Sequence, residues 1–157
     1  MLLTAFRGTL HHLSSMITAK FSRYWFYMTS VGITQPGATA STILTTSTYN
    51  QAMFPDSGAT LSQLPPNLFA ALISYFPTAV NDGSGAYTID CSIRDQAGTI
   101  DFGFGPNIIH VSYHEWFWNN GATCYFGGVS NPDTWSLGGA HSSTFTLVMF
   151  CVEANVK

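Results

Sequence analysis

Apolar and polar positions along this chain alternate more often than they recur at helical spacing. Residues 24–33 form an aromatic and β-branched run, which predicts a strand. Pro36-Gly37 marks a turn, and residues 41–53, rich in Thr, Ile and Tyr, predict a β-hairpin on a partly exposed sheet. One segment has a different period. Pro65 and Pro66 preset a first helical turn, and Leu68, Phe69, Leu72, Ile73 and Phe76 make one apolar stripe that Pro77 ends. After the loop Asn81-Asp82-Gly83-Ser84-Gly85, strict alternation returns. Tyr87, Ile89, Cys91 and Ile93 face one way, while Thr88, Asp90 and Ser92 face the other, as in a half-buried strand. The chain turns over residues 95–98. Ile100, Phe102 and Phe104 then alternate with Asp101 and Gly103, which predicts the second strand of a hairpin. Residues 108–111, 124–128 and 144–152 are further β-prone runs, and residues 8–24 are an irregular, partly extended entry. The pattern describes a mostly β architecture with one central helix.

Composition narrows the function classes. The chain has 157 residues, the length of one ordinary domain. Aromatic residues make up 15% and charged residues only 8%, against roughly a quarter charged in an average soluble protein. There is ample material for a core, and a disordered tail is excluded. Five Lys+Arg against eight Asp+Glu, a net charge of −3, do not suit a nucleic-acid binder that neutralises phosphates. No apolar run is long enough to predict a membrane-spanning helix. Residues 1–6 are apolar, but Arg7, His11 and His12 come directly after, so no signal peptide is read at this end. Three cysteines, Cys91, Cys124 and Cys151, allow at most one disulfide and one free thiol within the chain, and their spacing is not that of a zinc site.

Few polar clusters could carry chemistry. In Asp56-Ser57-Gly58-Ala59-Thr60, an acid, a hydroxyl and a glycine lie between a β-rich run and the helix. Gly58 would let the backbone turn tightly beside the carboxylate, and Ser57 and Thr60 could donate hydrogen bonds that hold the loop. Asp-Ser-Gly by itself more often marks a turn than a catalyst. In His110-Val111-Ser112-Tyr113-His114, a spacing of four suits a metal only on a helix, and His110 ends a strand-like run, so two half-buried or surface histidines are expected. Asp82-Gly83-Ser84-Gly85 lacks a full nucleophile elbow and reads as a flexible loop. Met53, Met149 and Trp116-Phe117-Trp118 read as packing groups. No metal or cofactor is expected.

The order of these elements resembles the C-terminal lobe of pepsin-like aspartic peptidases, particularly the fungal yapsin-type and candidapepsin-type branch. Gly8-Thr9-Leu10 is similar to the strand linking the lobes, and Tyr24-Trp25-Phe26-Tyr27 to the strand that opens with an aromatic pair. Asp56-Ser57-Gly58-Ala59-Thr60 matches the second Asp-Ser/Thr-Gly signature, and Leu64-Pro65 with the helix matches the segment C-terminal to that signature. Ile100-Asp101-Phe102 and Ile109-His110-Val111 match the intervening strands, Cys124-Tyr125-Phe126-Gly127 the Cys-x-Phe-Gly strand, and Leu137-Gly138 the element that threads under the catalytic loop.

The resemblance implies a pepsin-like half-barrel over residues 8–152, with residues 1–7 left from the inter-lobe region. It implies an aspartic endopeptidase domain in which Asp56 is one of two acids activating water, Ser57, Gly58 and Thr60 support its loop, and Cys91 pairs with Cys124. Such a bridge closes about 34 residues and contributes up to ~4 kcal/mol by chain entropy. Peptide or protein is the implied substrate. The implied location is extracellular, cell-surface or vacuolar.

This chain departs from the pattern in having no second Asp-Thr/Ser-Gly, no flap hairpin, Pro55 before the acid, Ala59 in place of Thr or Ser, and a divergent tail from Gly139. The expectation is therefore a truncated lobe, inactive as a monomer, that needs a missing N-terminal lobe or a homodimer partner. The rival is a non-catalytic pseudo-peptidase lobe with a structural or binding role. A small β-lectin that stacks sugars on Trp and Tyr is a third, minor alternative.

Overall fold

A computed structural model describes residues 25–56 and 58–138. The expected strands at 8–10 and 144–152, Met149 and Cys151 lie outside the described residues.

The run from residue 24 is not one strand. It breaks at Thr29, whose N–H bonds to the Gly103 carbonyl, giving β1 (Phe26–Met28) and β2 (Ser30–Thr34) in different sheets. The expected hairpin over 41–53 is likewise divided. β3 (Thr42–Ile43) pairs antiparallel with β2, whereas β4 (Gln51–Asp56) pairs antiparallel with β1. In both places the chain crosses from one sheet to another, which a local pattern does not reveal.

The helix forms where the stripe predicts it. α1 (Pro66–Ile73) has proline in its first turn and buries Leu68, Phe69 and Leu72. Tighter turns carry it on, with the Tyr75 and Phe76 amides bonding to the Leu72 and Ile73 carbonyls, so Phe76 also reaches the core. β5 (Ser62–Leu64) precedes the helix. After it, β6 (Val80–Asn81) and β7 (Tyr87–Ile89) form a hairpin around the expected loop. The Asn81 and Asp82 side chains accept from the Gly83 and Ser84 amides there.

Two expectations fail beyond Ile89. The alternation continues to Ile93, but the strand stops, and residues Cys91–Asp95 form a 3-10 helix capped by Asp90, whose carboxylate accepts from the Ser92 N–H. A side chain that satisfies the backbone locally competes with the sheet ladder, so periodicity alone over-extends the strand. β8 (Thr99–Phe104) is also not the hairpin partner of β7. It lies between β2 and β9 (Asn107–Ser112), with the hairpin closed at Gly105, which adopts a left-handed φ of 59°. Next comes a one-turn helix, α2 (Tyr113–Trp116), which the apolar pattern does not predict. Its signature is nonetheless present, because Ser112-Tyr113-His114-Glu115 is a capping box and the Ser112 hydroxyl accepts from the Glu115 amide.

β10 (Trp118–Asn119), β11 (Cys124–Tyr125), β12 (Gly128–Ser130) and β13 (Ser136–Gly138) complete three sheets. Their orders are β1-β4-β13-β5-β12, β10-β11-β7-β6 and β3-β2-β8-β9. A cluster of edge-to-face and tilted aromatic contacts packs around α1 and the residues that follow it. Phe76 meets Tyr113, Phe117 and Phe126, and Phe69 meets Tyr87 and Phe126. Cys91 and Cys124 are disulfide-bonded, with Cα atoms 5.2 Å apart, tying the 3-10 helix to β11. The mostly β architecture with a central helix is as expected.

Candidate functional site

Asp56 is the last residue of β4, and its position is set by strands distant in sequence. β13 runs parallel to β4 in the register Ser136↔Phe54, Leu137↔Pro55 and Gly138↔Asp56. Pro55 lacks a donor but is tolerated in the ladder, while Phe54 N–H still reaches the Trp135 carbonyl at 3.4 Å. Beyond Asp56 the chain doubles back. The Gly58 amide donates to Asp56 Oδ1 at 3.1 Å, and the Ala59 amide donates to the Asp56 carbonyl at 3.3 Å. The acid is thus partly buried at the base of a tight loop and caps that loop itself.

The floor of the loop is Gly138. A Cβ there would lie 2.7 Å from Leu61 C, 2.8 Å from Leu61 O and 3.0 Å from Ala59 O, so only glycine lets β13 pass beneath the loop. The Gly138 amide donates to the buried Ser62 hydroxyl at 3.0 Å, locking the crossing. The Asn131 turn holds the approach to β13. The Asn131 amide bonds to the Leu64 carbonyl, its side-chain amide donates to Gln63 Oε1 at 2.6 Å, and its own carbonyl accepts from Trp135 Nε1.

The sequence-predicted residues fall unevenly around this carboxylate. Gly58 contributes its N–H. A Cβ there would make only an ordinary 3.4 Å contact with Asp56 Oδ1, so space alone does not require glycine. Thr60 is exposed and makes no hydrogen bond among the described residues. Ser57 lies outside the described residues.

Alternation on β4 puts Asp56 on the strand face of Ala52 and Phe54, opposite the buried Met53. Across the β1 pairing that face continues into Trp25 and Tyr27, both exposed, with the Trp25 and Phe54 rings 5.5 Å apart. The candidate acid therefore borders an apolar, solvent-facing stretch of sheet.

A second acid, Asp101, is more deeply set, and its sequence pattern does not single it out. It is 2% exposed in mid-β8. Thr34 Oγ1 donates to its Oδ2 at 2.7 Å, Thr99 Oγ1 to its Oδ1 at 2.6 Å, and His110 Nδ1 lies 2.6 Å from Oδ1. The buried Ser41 hydroxyl meets no hydrogen-bond criterion among the described residues but lies near enough to Asp101 to favour its charge. Burial pushes the Asp101 carboxyl upward, yet Ser41, Thr99, Thr34 and His110 together hold it below its ordinary range. The same charge, added to burial, raises Tyr113 to about 12.

His110 thus orients on a carboxylate and, with its side chain 60% exposed, fits the expected half-buried or surface histidine. His114 lies near Asp95 at 3.8 Å. Among the described residues no three His, Cys, Asp or Glu side chains converge as a metal site, and no helix is long and apolar enough to cross a membrane.

The fold also relates the chain to a known protein. The crystal structure of aspartic proteinase from Irpex lacteus is similar to this chain, with a TM-score of 0.50 at 14% identity, over 77% of this chain and 42% of that one. The likeness is one of fold, and this chain spans less than half of that enzyme's length. No curated protein matches the sequence. The sequence model of eukaryotic aspartyl protease matches residues 4–150, nearly the whole chain. With that match over a mostly β fold, the chain belongs to the eukaryotic aspartyl protease family.

Proposed function

We propose that the chain is the C-terminal lobe of an aspartic endopeptidase, of the fungal yapsin-like or candidapepsin-like branch, and that Asp56 is one of two carboxylates that activate water for peptide-bond hydrolysis. The observation that carries this reading is the position of Asp56, at the end of β4 on a loop under which Gly138 passes, beside an exposed aromatic face. That face offers a second lobe apolar surface to cover, so that another acid would be brought up against Asp56.

The chemistry needs two acids for an electrostatic reason. Carboxylates ~3 Å apart cannot both ionise, so the pair holds one proton. The ionised member takes a proton from the bound water as it attacks, while the protonated member hydrogen-bonds the scissile carbonyl. The Gly58 N–H, donating to Asp56 Oδ1, orients that carboxylate. A single carboxylate cannot perform both proton tasks. The second one comes from an N-terminal lobe or from another copy of this chain. A Cys91–Cys124 bridge agrees with an oxidising, extracellular or vacuolar setting.

The test is peptide cleavage at acid pH, with and without a statine-type inhibitor. The monomer should not turn over substrate. Supplying a second Asp-bearing lobe, or raising concentration until the chain dimerises, should produce inhibitor-sensitive cleavage that Asp56→Asn abolishes. Cleavage that survives Asp56→Asn would remove Asp56 from the reaction. Inactivity with every partner supplied would favour a non-catalytic lobe.

A further inference from the structure

Beyond the C-terminal end of α1 the surface opens into a cleft of about 340 Å³. Segments far apart in sequence build it: the Gln35-Pro36 turn after β2, the residues that follow α1, and the 3-10 helix with its cap Asp90. The deep wall is aromatic. Phe76 and Tyr113 are 4% and 2% exposed, and their rings meet edge-to-face at 5.4 Å. Gly98 makes room for the far end of the Tyr113 ring, because a Cβ there would collide with Tyr113 Cε2 and Cζ. The hydroxyl end of Tyr113 thus lies against the backbone two residues past Gln96, another lining residue.

Two polar groups in the cleft have room for a further partner. The Tyr113 hydroxyl makes no hydrogen bond among the described residues, although the residue is almost wholly buried. The Asp90 carboxylate accepts from the Ser92 N–H at 2.9 Å and is otherwise exposed. The Ser92 amide and hydroxyl hold it below the ordinary carboxyl range.

Charge selects the ligand. Asp90 is the one Asp, Glu, Lys, Arg or His among the residues lining the cleft. Arg94 is the one Lys or Arg among the described residues, and its guanidinium is engaged by the Phe117 and His114 carbonyls at 2.9 and 2.8 Å. An anion would meet only Asp90. An apolar ligand would strip water from Asp90 and from the Tyr113 hydroxyl without replacing it. A cation satisfies both. Shape then chooses among cations. Tyr75 is half-buried in the cleft wall, yet no other aromatic ring stacks on it among the described residues. A guanidinium is flat and weakly hydrated, stacks on such a ring and donates in its own plane to a carboxylate and a phenol oxygen, whereas an ammonium is a compact, strongly hydrated charge. The volume is at the small end for ligand pockets, a size for one long side chain. Gln35 and Gln96 are exposed at the cleft, and each carboxamide can donate to and accept from peptide groups.

We propose that this cleft docks an arginine side chain of a polypeptide partner, with the guanidinium on Tyr75, paired with Asp90 and donating to the Tyr113 oxygen, while Gln35 and Gln96 meet the partner's main chain. The site uses neither Asp56 nor the Gly138 crossing, so it stands independently of the peptidase reading.

The experiment is NMR titration of the isotope-labelled whole chain with N-acetyl-arginine N-methylamide, its lysine and citrulline counterparts, and methylguanidine. Saturable shifts at the Gln35, Ser92 and Gln96 amides are expected with the arginine compound. The lysine compound should bind about threefold more weakly, and citrulline, the neutral isostere, should not saturate. Asp90→Asn keeps an oxygen that can cap the 3-10 helix and should weaken arginine binding by about fivefold or more. Tyr113→Phe removes a hydroxyl that has no protein partner, so the fold is kept, and affinity should fall by about threefold. Those two variants decide the matter if Tyr75→Ala, which removes the stacking ring, fails to fold. Absence of saturable shifts, citrulline binding as well as arginine, or affinity unchanged in both Asp90→Asn and Tyr113→Phe would overturn the proposal. Methylguanidine binding as tightly as the arginine compound would also overturn it, since the ligand would then be a free guanidino compound and not a polypeptide.

Discussion

Gly138→Ala is the most direct probe of how the Asp56 loop is built. The added Cβ would lie 2.7 Å from the Leu61 carbonyl carbon, whereas relaxed carbon contacts lie near 3.5–4.0 Å, so about 1 Å of separation must open. The clashing atoms are backbone, which cannot swing away as a side-chain tip can. β13 cannot retreat freely either, because it pairs with β4 on one side and β5 on the other. Opening the crossing also loses the Gly138 amide bond to Ser62 Oγ. Overpacking of this kind costs about 1–3 kcal/mol, and the lost hydrogen bond adds ~1 kcal/mol, for a destabilisation of about 2–4 kcal/mol. With a urea m-value of about 2 kcal/mol/M, the unfolding midpoint should fall by roughly 1–2 M. Gly58→Ala is the internal control, since its Cβ makes only a 3.4 Å contact, and it should remain within about 0.5 kcal/mol of the parent. Equal midpoints for Gly138→Ala and the parent would refute the threaded-glycine account. So would a Gly58→Ala that is as damaging as Gly138→Ala.

Other outcomes rest on named contacts. Reducing the Cys91–Cys124 bridge, which spans a sequence separation of 33, should cost up to ~4 kcal/mol, read as a drop in melting temperature with reductant that Cys91→Ser/Cys124→Ser reproduces without it. Asp101, whose folded pKa lies below its ordinary value, contributes stability that is present above the unfolded carboxyl pKa and lost as pH falls through the folded one. Asp101→Asn should therefore flatten the acid limb of a stability–pH curve and lower stability at neutral pH by ~2–3 kcal/mol. Tyr49 and Tyr113, each raised to about 12 chiefly by burial, should stay protonated when exposed tyrosines ionise. Their stabilising contribution is complete below the unfolded value and is lost as pH rises toward 12, visible as delayed phenolate absorbance that coincides with unfolding. Ser112→Ala removes the cap of α2 and should cost ~1 kcal/mol in chemical denaturation.

Local physics was enough for part of this molecule. The stripe from Leu68 to Phe76 with its prolines marked the helix, because helical period and proline geometry are properties of neighbouring residues. The Asp-Ser-Gly segment, the Cys91 and Cys124 pairing and the Leu137-Gly138 element were legible through resemblance to a family of known order, and the structure contains both the bridge and the glycine crossing. What the chain alone did not disclose was which strands meet. β3 and β4 are consecutive yet join different sheets, and β8 lies between β2 and β9 rather than beside β7. A strand's alternation says which face is apolar but nothing about its partner, because the pairing energy comes from residues tens of positions away. The same holds for Asp101, which reads as an outward polar position and is instead buried among Thr34, Thr99 and His110. It holds again for Asp56, whose residue type is local but whose setting exists only because β13 returns beneath it.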